Sequence, residues 1–284
     1  MMLVVPSDPM RHRRPDPHFA DEAAAARELG LDVALVDHDA LQGSSDLAAA
    51  RRSVGHVNSS ADAVYRGWMV TGAQYALLEA SLLERNVRLR TTAAQYRAGH
   101  ELPGWYDALT AFTPQTHWTT GNDLDDFAKC LRLVGPGAAM LRDYTKSMKH
   151  YWDEAALIPD VNDLQHGRRI AERFLALRGD AFDGGLVVRQ LEDFVGAEVR
   201  SWWIGGRCTL LSAHPDTPDD QPDVPADLLG RLAPAMRSLA LSFVTADLVR
   251  CRDGQWHLVE VGDGQVSDRP ASCPAKDLVA ALTR

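Results

Sequence analysis

The sequence contains no long apolar run and no excess of positive charge. Its 284 residues carry a formal net charge of −9, and no basic stripe is present, so we expect no nucleic-acid partner. No apolar stretch approaches the roughly 18 residues that a membrane-spanning helix needs. The N-terminal segment Leu3-Val4-Val5-Pro6 predicts a short strand and lacks the layout of a signal peptide. We therefore expect a cytoplasmic protein with no membrane partner.

Common metal and cofactor motifs are also missing. The four cysteines, Cys130, Cys208, Cys251 and Cys273, are widely separated, and no two histidines have the spacing of metal ligands within a helix. We therefore expect reduced, structural cysteines, and the pattern disfavours a zinc enzyme. The chain has no P-loop, and no Gly-x-Gly-x-x-Gly follows the first predicted strand, so a nucleotide would have to bind by other means.

Lysine is scarce, since only four of the 30 basic residues are lysines. Three of these four fall within 21 positions, at Lys129, Lys146 and Lys149. A predicted strand at 138–142 delivers Arg142, and then Lys146 and Lys149, into a short polar loop. Cationic side chains at and just after the end of a strand, beside Ser and Thr hydroxyls, suit a polyphosphate ligand. A solvated basic turn is the alternative.

Hydrophobic patterns indicate two parts of different class. The first third alternates strands with helices, which predicts an α/β, Rossmann-like domain with a small parallel sheet. Its predicted strands lie at 3–6, 33–36, 63–65 and 87–89. The second half predicts an α+β module with antiparallel sheets, whose strands lie at 185–190, 197–204 and 207–213, the last two joined by Gly205-Gly206. A Thr, Pro and Gly-rich segment at 113–122 suggests domains at 1–115 and 116–284.

Two carboxylates, Asp247 and Glu260, lie on the two strands of a predicted hairpin spanning 243–261, on either side of its turn. If Asp253-Gly254 is a two-residue turn closed by its neighbours, these two acids are direct cross-strand partners. Like charges whose Cβ atoms lie about 5 Å apart destabilise a sheet unless something compensates. A divalent cation is the simplest compensation. A register slip of one residue, or two acids that point into water near a sheet edge, is the alternative.

Two further motifs precede the hairpin. The segment 187–194 places apolar residues in a strand and acids just after it, where the backbone can pair with an adenine edge and a carboxylate can accept ribose hydroxyls. A surface turn explains that pattern equally well. Glu198 and Arg200 alternate on one strand face, as a structural pair or as groups that orient a phosphate.

The order of these pieces along the chain resembles the ATP-grasp superfamily. The pieces are a cationic strand end at Arg142, a strand followed by acids at 187–194 (the acidic hinge), the Glu-x-Arg of Glu198 and Arg200, and then Asp247 and a late Glu, Glu260, on the two final strands. The compact bacterial R-two-K clade is the most similar subgroup. The resemblance covers about residues 137–270, and the first third is similar to the domain that usually precedes an ATP-grasp module. Two positions depart from the pattern. Gly262 replaces an Asn metal ligand, with Asp263 as a substitute ligand or a loop residue, and Arg142 replaces a lysine, which preserves phosphate binding with altered geometry.

The resemblance implies ATP and Mg²⁺ as cofactors, with ATP between two sheets. It implies nucleotide contacts from Arg142, Lys146, Arg189, Gln190, Leu191, Glu192, Glu198 and Arg200. It implies magnesium ligands at Asp247, Glu260 and Asp263. Arg200 and Lys146 are the implied catalytic residues.

The resemblance also implies an ATP-dependent ligase that joins a carboxylate to an amine or similar nucleophile through an acyl-phosphate, and releases ADP and phosphate. The substrates would be small-molecule or peptide carboxylates and amines. Candidate substrate contacts lie in two segments that follow predicted strands, Arg13 and Arg14 in loop 11–16, and Arg66 and Trp68 in turn 65–68. Ordinary surface loops are the alternative. A phosphotransferase on the same fold, and a regulatory module that binds ATP without turnover, remain as rival functions.

Overall fold

The computed structural model describes residues 1–55, 57 and 61–283. The chain forms two compact units, each described here by itself. Unit 1 contains residues 1–99, 197–247 and 261–284, and unit 2 contains residues 100–196 and 248–260. In the described part of the chain, no helix combines the length and the apolar character needed to cross a membrane.

The described residues form 13 strands and ten α-helices. The strands are β1 (Met2–Asp8), β2 (Arg11–Pro15), β3 (Asp32–Val36), β4 (Ala61–Tyr65), β5 (Val87–Leu89), β6 (Thr116–Trp118), β7 (Ala139–Arg142), β8 (Leu157–Ile158), β9 (Val187–Gln190), β10 (Phe194–Ile204), β11 (Arg207–Ala213), β12 (Phe243–Cys251) and β13 (Trp256–Asp263). The helices are α1 (Ala20–Glu28), α2 (His38–Gln42), α3 (Leu47–Ser53), α4 (Gly72–Leu83), α5 (Ala93–His100), α6 (Tyr106–Leu109), α7 (Leu124–Leu133), α8 (Leu164–Arg178), α9 (Ala226–Ser238) and α10 (Ala275–Leu282).

A parallel sheet occupies the first part of unit 1, as the sequence pattern predicted. β1 pairs in parallel with both β3 and β4, and β4 pairs in parallel with β5. Every residue of β1 is buried, which is typical of a parallel strand that is covered on both faces. The side chains of Val4, Tyr65 and Leu78 lie in one core cluster, and those of Leu3 and Val5 lie in another.

The predicted loop at 11–16 is wrong, because most of it forms the strand β2. β2 pairs antiparallel with the end of β1, with Ser7 opposite Pro15 and Asp8 opposite Arg11. Asp8 closes the turn between the two strands, because its Oδ1 accepts the backbone N–H groups of Met10 (2.9 Å) and Arg11 (3.1 Å). The strand carries almost only polar residues, so no apolar alternation marks it in the sequence.

Side-chain caps set the starts of several helices. Thr92 caps α5 by accepting the backbone N–H of Gln95 at 3.2 Å. Asp123 caps α7 by accepting the N–H groups of Asp125 (2.8 Å) and Asp126 (2.9 Å). These short polar residues satisfy helix N–H groups that have no partner within the helix.

Unit 2 is built on a four-stranded antiparallel sheet in the order β6-β9-β7-β8. The central strands pair with Ala139 opposite Gln190 and Arg142 opposite Val187. Helices α7 and α8 pack against the sheet through apolar side chains that include Phe127 and Phe174. β6 lies inside the segment 113–122, which therefore contributes a strand to this sheet. β7 ends at Arg142, and the polar loop begins immediately after it.

The second four-stranded sheet has the order β11-β10-β12-β13. The structure confirms the predicted turn of its first hairpin but not that of its second. Gly205 and Gly206 form the predicted two-residue turn between Ile204 and Arg207, with φ values of +54° and +71°. Only glycine adopts this left-handed backbone without strain, which explains the pair of glycines.

The turn between β12 and β13 is longer than predicted. The Cys251 N–H donates to the Gln255 carbonyl at 2.7 Å, and the Gly254 N–H donates to the Cys251 carbonyl at 2.9 Å. Three residues therefore form the turn, with Gly254 at a φ of +90°. The predicted two-residue turn is wrong, and the register beside the turn is shifted by one residue. At the far end, the Gly264 N–H donates to the Phe243 carbonyl, which is the predicted register, so β13 takes up one extra residue in between.

A buried ion pair ties two distant segments of unit 1 together. Glu22 accepts from Arg66 Nε (2.7 Å) and Nη2 (2.8 Å), and both side chains are almost fully buried. Arg66 Nη1 donates to the carbonyl oxygens of Gly264 (2.6 Å) and Ser267 (2.9 Å). Burial raises the pKa of Glu22, but the guanidinium of Arg66 outweighs it and leaves the pKa below its ordinary value. The pair therefore anchors the segment that follows β13.

We expect Arg66→Met to reduce the free energy of unfolding by about 3 to 5 kcal/mol, because it leaves the buried Glu22 without its main partner. Urea denaturation measures the loss. The control is Arg51→Ala, which breaks the exposed Arg51–Glu84 pair and should cost less than about 1 kcal/mol. Equal losses in the two variants would contradict the structural role of Arg66.

Candidate functional site

Two predicted site residues meet in unit 2 at the end of β7. Arg142 is buried, and its Nη2 donates to Glu260 Oε1 at 2.7 Å. Its Nε donates to the carbonyl oxygen of Asp143 at 3.2 Å. The Glu260 side chain is 39% exposed, so the pair lies at the border between the interior and solvent. The structure thus joins a predicted phosphate ligand to a predicted metal ligand.

The carboxylate of Asp143 shapes the polar loop that follows β7. It is fully buried, and its Oδ1 accepts the backbone N–H groups of Thr145 (2.9 Å) and Lys146 (2.6 Å). Its Oδ2 accepts from Arg178 Nε at 2.7 Å. Sequence reasoning missed this residue, although Asp two residues before Thr is a signal for such a turn. These hydrogen bonds to Asp143 fix the path of the backbone after β7 and therefore the position of Lys146.

The loop carries a concentration of positive charge. Lys146 is exposed at the loop surface. Its pKa lies below the ordinary value, because partial burial and the charge of Arg142 lower it more than the charge of Glu260 raises it. Burial lowers the pKa of His100 to about 4, and the charge of Lys146 acts in the same direction. His100 is therefore neutral at pH 7. Cations gathered at one loop favour an anionic ligand with several charges.

Arg189 has a structural position. It is buried, its Nη2 donates to the Leu258 carbonyl at 3.0 Å, and its Nη1 donates to the Val259 carbonyl. Burial lowers its pKa to about 10, and the charge of Arg142 adds to this effect. These contacts hold β9 against residues 258–259. The predicted nucleotide contact of Arg189 has no support in this geometry.

The segment after β9 borders a cavity of about 540 Å³ in unit 2. The N–H groups of Gln190 and Leu191 donate to the carbonyl oxygens of Gln115 (2.8 Å) and Ala138 (3.0 Å), and so belong to the protein scaffold. Glu192 points toward Cys251 and His257. The cavity is lined by Glu192, Asp193, Cys251, Arg252, Asp253 and His257.

Unit 1 holds the other predicted constellation, built around a bidentate ion pair. Arg200 Nε and Nη2 each donate to one carboxylate oxygen of Asp247 at 2.8 Å. His214 Nε2 lies 3.1 Å from Arg200 Nη2 and 3.9 Å from Glu198 Oε2. Burial raises the pKa of Asp247, but Arg200 and His214 outweigh it and hold the carboxyl ionised. Glu198, Arg200 and Asp247 are therefore gathered as one charged network.

Asp263 occupies a different environment. It is buried, and its Oδ1 accepts from the backbone N–H (2.9 Å) and Nε2 (3.1 Å) of Gln265. Burial raises its pKa to about 7 in spite of these hydrogen bonds. A Cβ at Gly262 would lie 3.1 Å from both Thr245 Oγ1 and Ser267 Oγ, so an Asn there would force its neighbours apart.

The predicted substrate residues separate into two kinds. Arg13 and Arg14 are exposed on β2. Trp68 is 39% exposed, packs on Phe19 with ring centroids 5.0 Å apart, and donates from Nε1 to Asp16 Oδ2 at 3.3 Å. Arg66 is the buried anchor described above, so a substrate contact from Arg66 has no support in this structure.

Comparisons with known proteins identify the family and the fold of the chain. A family model described as ATP-grasp domain, R-two-K clade family 3, matches residues 132–282. No curated protein matches the sequence. Solved structures similar to the chain include the RimK domain ATP-grasp protein from Sphaerobacter thermophilus, with a TM-score of 0.65, 18% identity, and coverage of 99% of this chain and 98% of that one.

Two further solved structures are similar over nearly the whole chain. The D-cycloserine synthetase DcsG has a TM-score of 0.59 at 16% identity, covering 99% of this chain and 100% of its own. The macrocyclase MdnC from Microcystis aeruginosa, bound to precursor peptide MdnA, has a TM-score of 0.56 at 13% identity, covering 100% and 99%. At these identities the similarity shows the fold alone, which is that of ATP-grasp proteins.

The raised pKa of Asp263 predicts a pH effect on stability. An acid whose pKa rises from 3.8 unfolded to about 7 folded makes unfolding easier as pH rises between these values, because the unfolded state loses its proton first. Asp263→Asn keeps the acceptor for Gln265 without this charge. Its stability advantage over wild type should grow by about 3 kcal/mol between about pH 5 and pH 8. Denaturation curves at both pH values measure it.

The control is Asp227→Asn, at an exposed carboxylate of unit 1 that pairs with Arg231. Its stability difference from wild type should stay nearly constant across the same pH range. A constant difference for Asp263→Asn would show that Asp263 is ionised throughout.

Proposed function

Because the chain belongs to family 3 of the R-two-K clade of ATP-grasp domain proteins, we propose that it is an ATP-dependent ligase that joins a carboxylate to an amine or a similar nucleophile. The observation that carries this proposal is the cationic loop of unit 2. Arg142 is the last residue of β7, Lys146 follows in the polar loop, and the buried Asp143 holds the loop between them. Cationic donors on a fixed loop suit the phosphates of ATP.

The nucleotide contacts are proposed on the same basis. Arg142 and Lys146 bind the phosphates, while Gln190, Leu191 and Glu192 form the segment that receives the adenine and ribose beside the unit 2 cavity. This assignment requires the carbonyl or side-chain groups of Gln190 and Leu191, since their N–H groups already donate to the scaffold. Glu198 and Arg200 are proposed as further contacts to the nucleotide.

Two of the three proposed magnesium ligands fit a divalent cation. Glu260 is partly exposed, and Asp247 is held ionised, so each can offer a carboxylate oxygen. Asp263 fits less well, because its pKa near 7 leaves it partly protonated at neutral pH. A Mg²⁺ ion held there would supply positive charge to the phosphates of ATP.

The proposed reaction has two steps. An oxygen of the substrate carboxylate attacks the γ phosphorus of ATP, the bond to the bridging oxygen breaks, and ADP leaves with an acyl-phosphate formed. The amine or another nucleophile then attacks the acyl carbon, and phosphate leaves. Such chemistry depends on position and charge more than on covalent help from the protein. Lys146 and Arg200 are the residues proposed to stabilise the charge that develops on the transferred phosphoryl group.

Small-molecule and peptide carboxylates are both proposed as substrate classes. Among similar structures, MdnC and the ligase PsnB are bound to precursor peptides, whereas DcsG is named for a small product. Exposed Arg13 and Arg14 suit a carboxylate or an acidic peptide, with Trp68 as a further contact. The Rossmann-like class of the first domain, and the domain division near residue 115, stay part of this proposal.

We expect Lys146→Met to lower kcat for ADP release by about 100-fold or more, because it removes a cationic donor from the transferred phosphates. A coupled assay measures ADP while a panel of carboxylic acids and amino acids is supplied with Mg-ATP. The matched control is Lys129→Met, which removes an exposed lysine from α7 of the same unit. Wild-type turnover in Lys146→Met would contradict the assignment.

Mass spectrometry of the products decides between the rival functions. A ligase forms an adduct of the acid and the nucleophile, and a phosphotransferase leaves a stable phosphorylated product without consuming an amine. An ATP-binding module would bind ATP without releasing ADP with any acid in the panel.

A further inference from the structure

Three side chains with different donor atoms meet in the lining of the unit 2 cavity. Cys251 Sγ lies 3.6 Å from Glu192 Oε2, and His257 Nδ1 lies 2.6 Å from the same oxygen. The three ligand atoms all lie within 4.8 Å of one another. Cys251 is buried, and the side chains of Glu192 and His257 are each only about a fifth exposed. All three residues line the cavity.

The contact between His257 and Glu192 is close but is not a hydrogen bond. Nδ1 is buried and lies within ion-pair distance of Glu192 Oε2, but in the described part of the chain it has no hydrogen-bond partner. A buried polar atom without a partner normally costs about 1 to 3 kcal/mol. This atom faces the carboxylate and the thiol, where a cation would satisfy it.

The donor set matches the preferences of zinc. Zn²⁺ binds thiolate sulfur at about 2.3 Å, imidazole nitrogen at about 2.0 Å and carboxylate oxygen at about 2.1 Å, mostly with tetrahedral geometry. That geometry places sulfur and oxygen about 3.6 Å apart, which is the observed separation, and nitrogen and oxygen about 3.4 Å apart. The Nδ1–Oε2 distance would have to open by less than about 1 Å, which a small side-chain rotation achieves.

The turn between β12 and β13 creates the cluster. Its three residues place Cys251 and His257 on strands that leave the same turn. The Arg252 N–H donates to the Asp193 carbonyl at 3.0 Å, and the side chains of the two residues form an ion pair. These contacts hold the neighbour of Glu192 against the turn. A separation of 59 positions in the chain explains why no motif marked the cluster.

We propose that Glu192, Cys251 and His257 form a binding site for Zn²⁺ or a similar thiophilic divalent cation, with its remaining coordination position toward the cavity. The site is separate from the proposed magnesium ligands, and its softer donors select a different metal. It shares Glu192 with the proposed nucleotide contacts. A metal there would hold the Glu192 carboxylate, so that metal and ribose would be alternative partners for it.

Cobalt tests the proposal, because Co²⁺ occupies zinc sites and reports thiolate ligation by a charge-transfer band in the near ultraviolet. Metal-free, full-length protein is titrated with Co²⁺ without nucleotide, and Zn²⁺ is then added. We expect one equivalent of Co²⁺ to produce the thiolate band and Zn²⁺ to abolish it. The absence of nucleotide makes the result independent of whether the chain is a ligase.

Variants assign the band to the cluster. Cys251→Ser should remove it, and His257→Ala and Glu192→Gln should weaken Co²⁺ binding at least about 10-fold. The matched control is Cys130→Ser, which removes a similarly buried thiol of the same unit and should leave the band unchanged. Far-ultraviolet circular dichroism verifies that each variant is folded. If Cys251→Ser fails to fold, the Glu192 and His257 variants carry the test. The proposal is overturned if the wild-type protein shows no thiolate band. It is also overturned if the band survives in folded Cys251→Ser, or if Co²⁺ binding is unaffected in the Glu192 and His257 variants.

Discussion

The carboxylate of Asp143 is the constraint on which the unit 2 site depends. A buried charge is tolerated only when its oxygens are matched by donors, and Asp143 finds them in two backbone N–H groups of its own loop and in Arg178. Those bonds determine how the chain leaves β7. Arg142 is buried against Glu260 while Lys146 is exposed, and the hydrogen bonds to Asp143 hold the cationic loop between them. Such preorganisation is what charge stabilisation of a phosphate requires.

The same rule separates the arginines by role. Arg66 pairs with the buried Glu22 and donates to the carbonyl of Gly264, and Arg189 donates to the carbonyl of Leu258, so both hold distant segments of the chain together. Arg142 and Arg200 pair with the carboxylates of Glu260 and Asp247, which are proposed magnesium ligands. Composition alone cannot make this distinction, because every arginine carries the same donors. The acceptors that the fold brings to each one decide its function.

Regular patterns could be predicted because they depend on local chemistry. The parallel strands follow from apolar runs, the Gly205-Gly206 turn from the left-handed backbone that glycine allows, and the start of α5 from the cap at Thr92. The failures have equally specific causes. β2 is a polar strand, and the turn before it is closed by hydrogen bonds that the Asp8 carboxylate accepts. The register beside the last turn differs from the predicted register because the turn includes Gly254 in a left-handed conformation. Neither effect has a periodic signal.

By itself, the sequence determined the family, because the order of a cationic strand end, an acidic hinge and two late acids survives without knowledge of any contact. Only the tertiary structure decided the partner of each charged residue. Arg142 and Glu260 are 118 positions apart, and Glu192 meets Cys251 from a distance of 59, so no spacing in the chain encodes either meeting. Ionisation followed from the same contacts: Asp247 beside Arg200 stays charged, whereas Asp263, buried beside an amide, has a pKa near 7. The physical reason is that burial and neighbouring charge, which set a pKa and a ligand site, exist only once the chain is folded.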